Sequence, residues 1–440
     1  MRLALWVGLL LVSVVAEGKE IDLTRFVGTA TTATPIRNVS FFGVPDSARL
    51  MVTGSVGTAQ VSLNGSRVEL APGVAAVAVT LTENNTISVV TQGEVTVRVK
   101  QFADIQLHVL SRVHFNTNVS NFLESRAFYQ QLGFETLSGF PDANTVAMAE
   151  AIGVSTPTTY DGSQGGEAGG YLLHGELISL GGFGGGVIDL IEFTIPRDES
   201  PPYEAVNHLG MARAVLHTTD IKSDFTTLTE AGVNFLSEPA QRSNGTWFAV
   251  FRDPDGTFYE LLQVEGELNT EGAINIVELG PLNINVSDFE RSAAWYQMFG
   301  YELSEKLPTN ESAEVARAMG LTEPYQINGA LLTHQVDASM IELVQWLHPH
   351  DKRPPYPIPV NHLGIHRTAF STTDIEADVA TLKAQGVTFV SPITPCCDGP
   401  DSWGSIVAFY DPDGTIIELV EQPVMNAILK TLRWFSEFFD

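Results

Sequence analysis

The sequence predicts an α+β protein in which four βαβββ modules follow a small all-β sandwich domain. Three observations predict this class. The segment at residues 206–221 recurs with few changes at 360–375, and each copy lies between a Pro-Pro-Tyr triplet and an Asp-Pro-Asp-Gly turn. The segments 113–134 and 281–301 share a second pattern of strand, helix and glycine, whereas residues 20–104 show neither pattern. A regular internal repeat indicates a copied structural unit, so a site in one copy is expected in the other.

Residues 1–18 have the pattern of a secretory signal peptide. Arg2 supplies the N-terminal charge, an apolar stretch follows, and small residues ending at Ala16 form a cleavage site. The apolar stretch is too short to span a membrane, and no later segment is long and apolar enough. We therefore expect a protein that is secreted or held in the lumen of the secretory pathway. The seven Asn-X-Ser/Thr sequons that could carry N-linked glycans there begin at Asn38, Asn64, Asn84, Asn118, Asn244, Asn285 and Asn310.

The composition is that of a globular protein with room for two or three domains. The 440 residues are 44% hydrophobic and 17% charged, which argues against global disorder. The formal net charge of −28 disfavours nucleic acid and anionic membranes as partners, because both attract Lys and Arg. The two cysteines, Cys396 and Cys397, are adjacent, and adjacent cysteines rarely pair with each other. The sequence therefore predicts neither a disulfide-built fold nor a cysteine zinc site, and it does not indicate an oligomeric state.

Residues 20–104 are predicted to form the β-sandwich domain. Short β-branched runs alternate there with Gly and Asn turns, and helical periodicity is absent. The segment contains no cluster of His, Asp or Glu that suggests chemistry. We therefore expect a structural or binding module.

The four modules are predicted to fill residues 105–266 and 274–423, with two modules in each range. In every module a strand leads through an Asp, Asn or Ser turn into an amphipathic helix, and about three strands follow. We expect the first two modules to pair as one half-barrel and the last two as the other. Residues 424–440 have the pattern of an amphipathic helix, which we expect to pack against the domain because it lacks a basic face.

This pattern resembles the vicinal oxygen chelate superfamily, which includes glyoxalase I, bleomycin-resistance proteins, fosfomycin-resistance enzymes and extradiol dioxygenases. The resemblance is carried by the V-S-D/N…F/W-Y…G-F/Y segment of modules one and three and by the DPDGxxxEL ending of modules two and four. It implies paired modules that curl around a metal or ligand cavity. It implies no single activity, because one scaffold serves many chemistries.

The resemblance also implies metal-ligand positions on the first and last strands of each module. In the first half these positions hold His114, Asp189, Arg213 and Glu260, and in the second half they hold Pro281, Glu342, Arg367 and Glu418. Arginine stays protonated and cannot ligate a metal. The second half thus keeps two carboxylates, which disfavours the His-His-Glu site of an extradiol dioxygenase. The favoured expectation is no cofactor; the alternative is one zinc, iron or manganese ion in the first half, bound by His114, Asp189 and Glu260.

Arg213 and Arg367 admit two interpretations. Each could form a buried ion pair with a last-strand carboxylate, which would replace the metal as a tie across the barrel. Each could instead bind the carboxylate or enolate of a small anionic substrate, because the planar guanidinium suits such a group.

The repeated Pro-Pro-Tyr and Asn-His-Leu-Gly segments offer further candidates. His208 and His362 are candidate acid–base residues on the rim of a cavity. The alternative is that these residues cap backbone groups in a turn. The aromatic candidates for substrate contact are Tyr203, Tyr356, Trp247 and Trp403.

Three functions follow from these alternatives. The first is a secreted protein that binds or transforms a small, anionic molecule without a metal. The second is a glyoxalase-like lyase or isomerase that uses a metal in the first half only. The third is a structural protein whose cavities are closed by Arg–Glu pairs. The first is the working hypothesis, and it leaves open whether the protein is an enzyme.

Overall fold

The computed structural model divides the chain into two compact units between residues 106 and 107. The structure describes residues 20–27, 34–37, 46–54, 60–68, 76–81, 84–90, 94–101, 105–181, 186–268, 274–396 and 402–422. The predicted signal peptide, the predicted helix at 424–440 and Cys397 lie outside the described residues.

The N-terminal unit contains two antiparallel β-sheets. Its strands are β1 (Glu20–Val27), β2 (Thr34–Arg37), β3 (Asp46–Gly54), β4 (Gln60–Leu63), β5 (Ser66–Val68), β6 (Ala76–Leu81), β7 (Asn84–Val90) and β8 (Glu94–Gln101). One sheet has the order β1-β8-β3-β6 and the other the order β2-β7-β4-β5. All of these strand pairs are antiparallel. The all-β character predicted from short β-branched runs is confirmed for these strands.

The second unit contains the four modules in chain order. Module 1 comprises β9 (Val109–Asn118), α1 (Phe122–Gln131), β10 (Glu135–Gly139), α2 (Val146–Ala151), β11 (Leu172–Ser179) and β12 (Val187–Ile195). Module 2 comprises β13 (Gly210–Thr218), α3 (Ile221–Glu230), β14 (Asn234–Phe235), β15 (Ala240–Gln241), β16 (Trp247–Arg252) and β17 (Phe258–Gln263). Module 3 comprises β18 (Ile276–Asn285), α4 (Phe289–Gln297), β19 (Tyr301–Lys306), α5 (Ala313–Ala318), β20 (Gln326–His334) and β21 (Met340–His348). Module 4 comprises β22 (Gly364–Thr372), α6 (Ile375–Ala384), β23 (Thr394–Cys396), β24 (Gly404–Tyr410) and β25 (Ile416–Glu421).

The first helix of every module begins at a side-chain cap, as the Asp and Asn turns predict. Asn121, Asp220, Asp288 and Asp374 precede α1, α3, α4 and α6, and each side chain accepts a hydrogen bond from the backbone N three residues further on. Such a cap satisfies one of the N–H groups left free at a helix start and contributes about 1 kcal/mol. A local signal therefore fixes where each of these helices begins.

The modules pair in an order different from the expected one. Modules 1 and 4 form an eight-stranded sheet with the order β10-β11-β12-β9-β22-β25-β24-β23. Modules 2 and 3 form a nine-stranded sheet with the order β14-β16-β17-β13-β18-β21-β20-β19, in which β15 also pairs with β16. The first strands join the modules, β9 to β22 and β13 to β18. The expectation that modules one and two pair with each other is wrong. Below, half A is the sheet of modules 1 and 4, and half B is the sheet of modules 2 and 3.

The two Pro-Pro-Tyr…Asn-His-Leu-Gly segments explain this order. One leads from module 1 in half A to module 2 in half B, and the other leads back from module 3 to module 4. The rings of Tyr203 and Tyr356 stack with centroids 4.6 Å apart, and the backbone N of Tyr203 donates to the Tyr356 hydroxyl at 3.0 Å. The backbone N of Leu363 donates to the carbonyl of Ser200 at 3.1 Å. The repeated segments are therefore two adjacent crossovers that carry the chain between the halves.

Buried tyrosines on the first helices also connect the halves. Tyr129 of module 1 donates to Oδ2 of Asp253 in module 2 at 3.1 Å. Tyr296 of module 3 donates to Oδ2 of Asp411 in module 4 at 3.1 Å. All four side chains are buried. Since the two aspartates begin the Asp-Pro-Asp-Gly turns, this motif holds the halves together as well as turning the chain.

Two short helices that the sequence pattern did not predict complete the cores. Met148 of α2 packs in a buried apolar cluster with Phe193 and Ile406 of half A, and Val315 of α5 packs with Trp346 of half B. Each short helix therefore contributes buried side chains to the apolar core of its own half. In the described part of the chain no helix has the length and apolar character to cross a membrane.

One described cysteine takes part in a disulfide bond. Cys396, the last residue of β23, is disulfide-bonded. The expectation that the fold is not built on disulfides stays a prediction.

Candidate functional site

A buried arginine lies between two carboxylates in half B. Arg213 is on the first strand of module 2, and Glu260 and Glu342 are on the last strands of modules 2 and 3. Nε of Arg213 donates to Glu260 at 2.9 Å, and Nη2 donates to Glu342 at 2.6 Å. The side chains of Arg213 and Glu260 are 2% and 1% exposed. The guanidinium therefore ties the two modules of half B together, which is the ion pair that one interpretation of Arg213 predicts.

A second guanidinium completes the half B cluster. Nη1 of Arg242, in the turn between β15 and β16, lies 2.8 Å from Oε1 of Glu260, and Nη2 donates to Oε2 at 3.0 Å. Burial alone would raise the pKa of Glu260, but Arg242 and Arg213 outweigh burial and the pKa is lowered. Two guanidinium groups thus face the carboxylates of Glu260 and Glu342, and the cluster is electrically balanced without a metal ion. The repeat gives no signal for Arg242, because this turn differs between the two copies.

The cluster forms one wall of a cavity of about 100 Å³ in half B. The other walls are mostly apolar and include Val215, Leu262, Ile327 and Trp346. Val215 and Arg213 line the cavity together because side chains two positions apart on a strand share a face. Nη1 of Arg213 is buried and has no hydrogen-bond partner. An unpaired buried donor costs about 1–3 kcal/mol, so this residue of the cavity lining carries an N–H group that lacks an acceptor.

Further carboxylates line the cavity beyond this cluster. Glu311 accepts hydrogen bonds from the backbone N and the hydroxyl of Ser243 at 3.1 Å. Glu305, which also lines the cavity, is exposed. Carboxylates therefore outnumber guanidinium groups around the cavity. This excess of negative charge disfavours the anionic ligand that the arginines alone suggested.

Half A repeats the arrangement with one guanidinium. Nε of Arg367 lies 2.7 Å from Oε1 of Glu418, and these side chains are 4% and 2% exposed. Nε2 of His114 lies 3.7 Å from Oδ2 of Asp189. Nδ2 of Asn116 donates to the same carboxylate oxygen at 2.5 Å. First-strand and last-strand positions of modules 1 and 4 therefore converge as they do in modules 2 and 3.

Burial determines the protonation of the half A cluster. Burial raises the pKa of Asp189 to about 7, although Arg367 opposes the rise. Burial also raises the pKa of Glu418 despite its short contact with Arg367, because one guanidinium does not offset the desolvation of two carboxyl groups. Burial and the charge of Arg367 lower the pKa of His114 to about 3. Near neutral pH the cluster thus combines a neutral imidazole and one guanidinium with two carboxyl groups whose protonated forms are favoured by burial.

The sequence pattern of the Glyoxalase/Bleomycin resistance protein/Dioxygenase superfamily matches residues 111–261 and 278–419, which is more than half of the chain. The chain belongs to this superfamily. The structure is similar to glyoxalase I from Zea mays, with a TM-score of 0.50 and 16% identity over 72% of this chain and 94% of that chain. A single-residue variant of that enzyme gives a TM-score of 0.50 and 17% identity over the same shares of the two chains. A putative dioxygenase from Bacillus subtilis gives a TM-score of 0.47 and 14% identity over 72% of this chain and 86% of that chain. No curated protein matches the chain in sequence.

These matches confirm the resemblance inferred from the helix and DPDGxxxEL motifs, and they confirm the predicted fold class. At such low identity the solved structures show the fold alone. The superfamily uses this fold to bind or transform small molecules, and its members usually hold a divalent metal ion.

The residues of half B do not fit such an ion. Arg213 takes the position between Glu260 and Glu342, and Pro281 offers no donor atom. The carboxylates of Glu260 and Glu342 already pair with guanidinium groups at the ligand position, and a divalent ion placed there would lie against those buried cations, which is strongly unfavourable. The superfamily's metal chemistry therefore has no counterpart at this cluster.

The ligand set expected in the first half is wrong. Glu260 belongs to half B, where it pairs with Arg213 and Arg242, whereas His114 and Asp189 belong to half A. The set fails because modules 1 and 2 do not pair. Among the described residues no group of three His, Cys, Asp or Glu side chains is placed to hold a metal ion.

The candidate acid–base histidines lie in the crossovers and not on the lining of the half B cavity. Nδ1 of His208 contacts the carbonyl oxygen of Leu209 at 2.7 Å, and Nδ1 of His362 contacts that of Leu363 at 3.1 Å. Burial lowers the pKa of His208 to about 4 and also lowers that of His362. Both rings pack against Tyr356. These contacts are those of the turn-capping alternative, and a catalytic role for the two histidines stays a prediction.

The aromatic candidates are also absent from the lining of this cavity. Tyr203 stacks on Tyr356 in the crossovers, Lys222 lies over the ring of Trp247 at 5.6 Å, and Trp403 is 85% exposed. The tryptophan that lines the cavity is Trp346. The sequence could have revealed Trp346, because it lies four residues after Glu342 on the same strand and so shares its face. Substrate contact by the other aromatic residues stays a prediction.

Proposed function

We propose that this protein is a metal-independent member of the superfamily that binds a small, uncharged, polar molecule in the half B cavity. The observation that carries the proposal is the guanidinium of Arg213, held between Glu260 and Glu342 at 2.9 and 2.6 Å and opening on the cavity. Such a guanidinium is a fixed cation where other members place a metal ion. It can orient a ligand without any cofactor.

The lining defines the chemistry of the ligand. Nη1 of Arg213 requires an acceptor such as a carbonyl oxygen. The apolar walls around Leu262 and Trp346 require a compact hydrocarbon part. The surplus carboxylates exclude an anion more readily than a neutral molecule. A small amide, ketone or aldehyde meets all three requirements, and this class replaces the anionic ligand of the working hypothesis.

The geometry favours binding over proton transfer. The pKa of Glu260 is lowered by Arg242 and Arg213 against the effect of burial, and burial raises the pKa of Tyr325 to about 12. A general base works best when its pKa lies near the working pH, and neither group meets that condition. We therefore assign to this cluster the orientation of a ligand and no chemical step.

For half A we propose the structural role. Arg367 and Glu418 form a buried pair, and the core around Met148 and Phe193 packs against the same half. This buried pair joins the first and last strands of module 4, which are parallel neighbours in the sheet.

We also propose that the chain enters the secretory pathway through residues 1–18. The support is the charged, apolar and small-residue pattern that ends at Ala16. N-terminal sequencing of the protein produced by a eukaryotic cell should read Glu17 first. A protein that retains Met1 would contradict this proposal.

Acetamide and acetate provide a direct test of the ligand class. The two molecules have nearly the same shape and differ in charge. Ligand-observed NMR on the full chain should detect acetamide binding, at about millimolar affinity for so small a molecule, and weaker binding of acetate. Binding should be unchanged by EDTA. Tighter binding of acetate would overturn the ligand class, and loss of acetamide binding in EDTA would overturn metal independence.

A pair of matched variants locates the ligand. Leu262→Phe adds volume inside the cavity without touching the ion pairs and should abolish acetamide binding. Leu123→Phe makes the same change at a side chain that is 72% exposed and should have no effect. Acetamide binding that survives Leu262→Phe would place the ligand elsewhere.

A further inference from the structure

The sequons divide into exposed and buried positions. Asn38 and the side chain of Asn84 lie outside the described residues. Of the other five, Asn64, Asn244 and Asn310 are exposed, whereas Asn118 and Asn285 are 1% and 0% exposed. The same sequence motif therefore occupies two very different environments.

The two buried asparagines have structural roles. Nδ2 of Asn118 donates to two backbone carbonyls of the second crossover at 2.5 and 2.9 Å. Nδ2 of Asn285 donates to two backbone carbonyls of the first crossover at 2.7 Å each. Each amide thus uses both of its N–H groups to anchor one crossover. A sugar on this nitrogen would remove a hydrogen bond and has no room in a buried position.

The two exposed asparagines of the second unit lie on separate loops of half B. Asn244 precedes β16, and its Oδ1 accepts a hydrogen bond from the backbone N of Thr246 at 3.1 Å. No hydrogen bond of its Nδ2 is found within the described part of the chain. Asn310 lies between β19 and α5, and Ser312, which completes its sequon, caps α5. Both side chains are therefore accessible to a modifying enzyme.

The two loops meet beside the half B cavity. Ser243, the residue before Asn244, donates through its backbone N to both oxygens of Glu311 at 3.1 Å. Glu311 is the residue after Asn310. Asn244, Thr246 and Glu311 all line the cavity. The two sequons thus flank the same part of the cavity.

We propose that Asn244 and Asn310 carry N-linked glycans that flank this cavity, and that Asn118 and Asn285 carry none. The proposal rests on the proposed passage through the secretory pathway. In each transfer, Nδ2 bonds to C1 of a polyprenyl-pyrophosphate-linked oligosaccharide and loses one proton. The bond from C1 to the pyrophosphate oxygen breaks, and the lipid pyrophosphate leaves with the electron pair. Glycans at these positions would let small molecules reach the cavity and hold macromolecules away from it.

Peptide mass spectrometry tests the assignment. The full chain is produced in a glycosylating eukaryotic cell and treated with peptide N-glycosidase in heavy-oxygen water, which converts each occupied asparagine into a labelled aspartate. Label is expected at Asn244 and Asn310 and not at Asn118 or Asn285. Thr246→Ala should remove the glycan of Asn244, whereas Thr246→Ser keeps the sequon and should retain the glycan.

An unlabelled Asn244 or Asn310, or a labelled Asn118 or Asn285, would overturn the proposal. The N-terminal peptide of the same digest shows whether the chain was cut after Ala16. Failure of the proposed secretion is thereby distinguished from failure of the site geometry. The acetamide measurement is independent of both, because it needs no glycan.

Discussion

Replacing Arg367 with methionine tests the ion pair of half A. Arg367 lies 2.7 Å from Glu418, and the two side chains are 4% and 2% exposed. Arg367→Met therefore leaves the Glu418 carboxylate buried without its partner. Removal of one partner of a buried pair typically costs about 3–5 kcal/mol. We expect the free energy of unfolding to fall by that amount, since methionine retains much of the packing.

The double variant Arg367→Met, Glu418→Leu should recover most of this loss, because it leaves no unpaired charge in the core. Urea denaturation of the wild type, both single variants and the double variant gives the coupling energy of the pair. Arg126, which is 36% exposed and lies 2.9 Å from Glu176, provides the control: Arg126→Met should cost less than about 1 kcal/mol. If Arg367→Met is no less stable than the double variant, the reasoning is refuted.

The cost of Arg367→Met should also depend on pH in a defined direction. Burial raises the pKa of Glu418 even with Arg367 present, and loss of the guanidinium raises it further. A carboxyl group whose folded-state pKa is raised stabilises the fold below its unfolded pKa, and this stabilisation is lost as the pH rises through the folded pKa. The variant should therefore lose less stability at about pH 5 than at about pH 8. If the variant instead loses more stability at the lower pH than at the higher pH, the unpaired charge of Glu418 is not the cause of the loss.

Three further outcomes are expected. The pKa of Asp189 is raised from 3.8 to about 7, so the wild type should lose up to about 4 kcal/mol of stability through this group as the pH rises across that window. Asp189→Asn should remove this dependence of the free energy of unfolding on pH. If urea denaturation shows the same pH dependence in the variant and the wild type, the assignment is contradicted. Tyr129→Phe removes the hydrogen bond to Asp253 at 3.1 Å and should lower the free energy of unfolding by about 1–3 kcal/mol, whereas an unchanged midpoint in urea would show that the bond does not stabilise the fold. Elemental analysis should find no stoichiometric zinc, iron or manganese, and one ion per chain that is lost in His114→Ala would restore the lyase hypothesis.

Local features of this fold could be predicted from the sequence because local interactions decide them. The capping residues Asp220 and Asp374 mark where helices begin, and their side chains accept the expected backbone hydrogen bonds. Gly232 and Gly386 follow the ends of these helices with φ of 92° and 79°, a conformation that favours glycine. The short helices α2 and α5 were missed because six residues are too few to show a helical period.

Contacts within one module could also be predicted, whereas contacts between modules could not. Arg213 pairs with Glu260 because β13 and β17 of the same module are parallel neighbours. Arg367 pairs with Glu418 through the parallel strands β22 and β25. The choice of partner module depends on the crossovers, whose stacking is a tertiary contact with no signal in the strand patterns. The metal set that joined His114 to Glu260 failed for this reason.

The nested order of the modules has a consequence for synthesis on the ribosome. The strands of half B are consecutive in the chain, whereas those of half A come from its beginning and its end. Strand β9 can pair with β22, and His114 with Ala369, only after module 4 has been synthesised. Closing so long a loop is entropically costly and slow, and until then β9 presents a free edge to other chains. Half B should therefore reach its final structure first. A chain that ends before module 4 would contain a completed half B and an unpaired edge on β9. Module 4 is therefore the part of the chain that protects this edge from pairing with other chains.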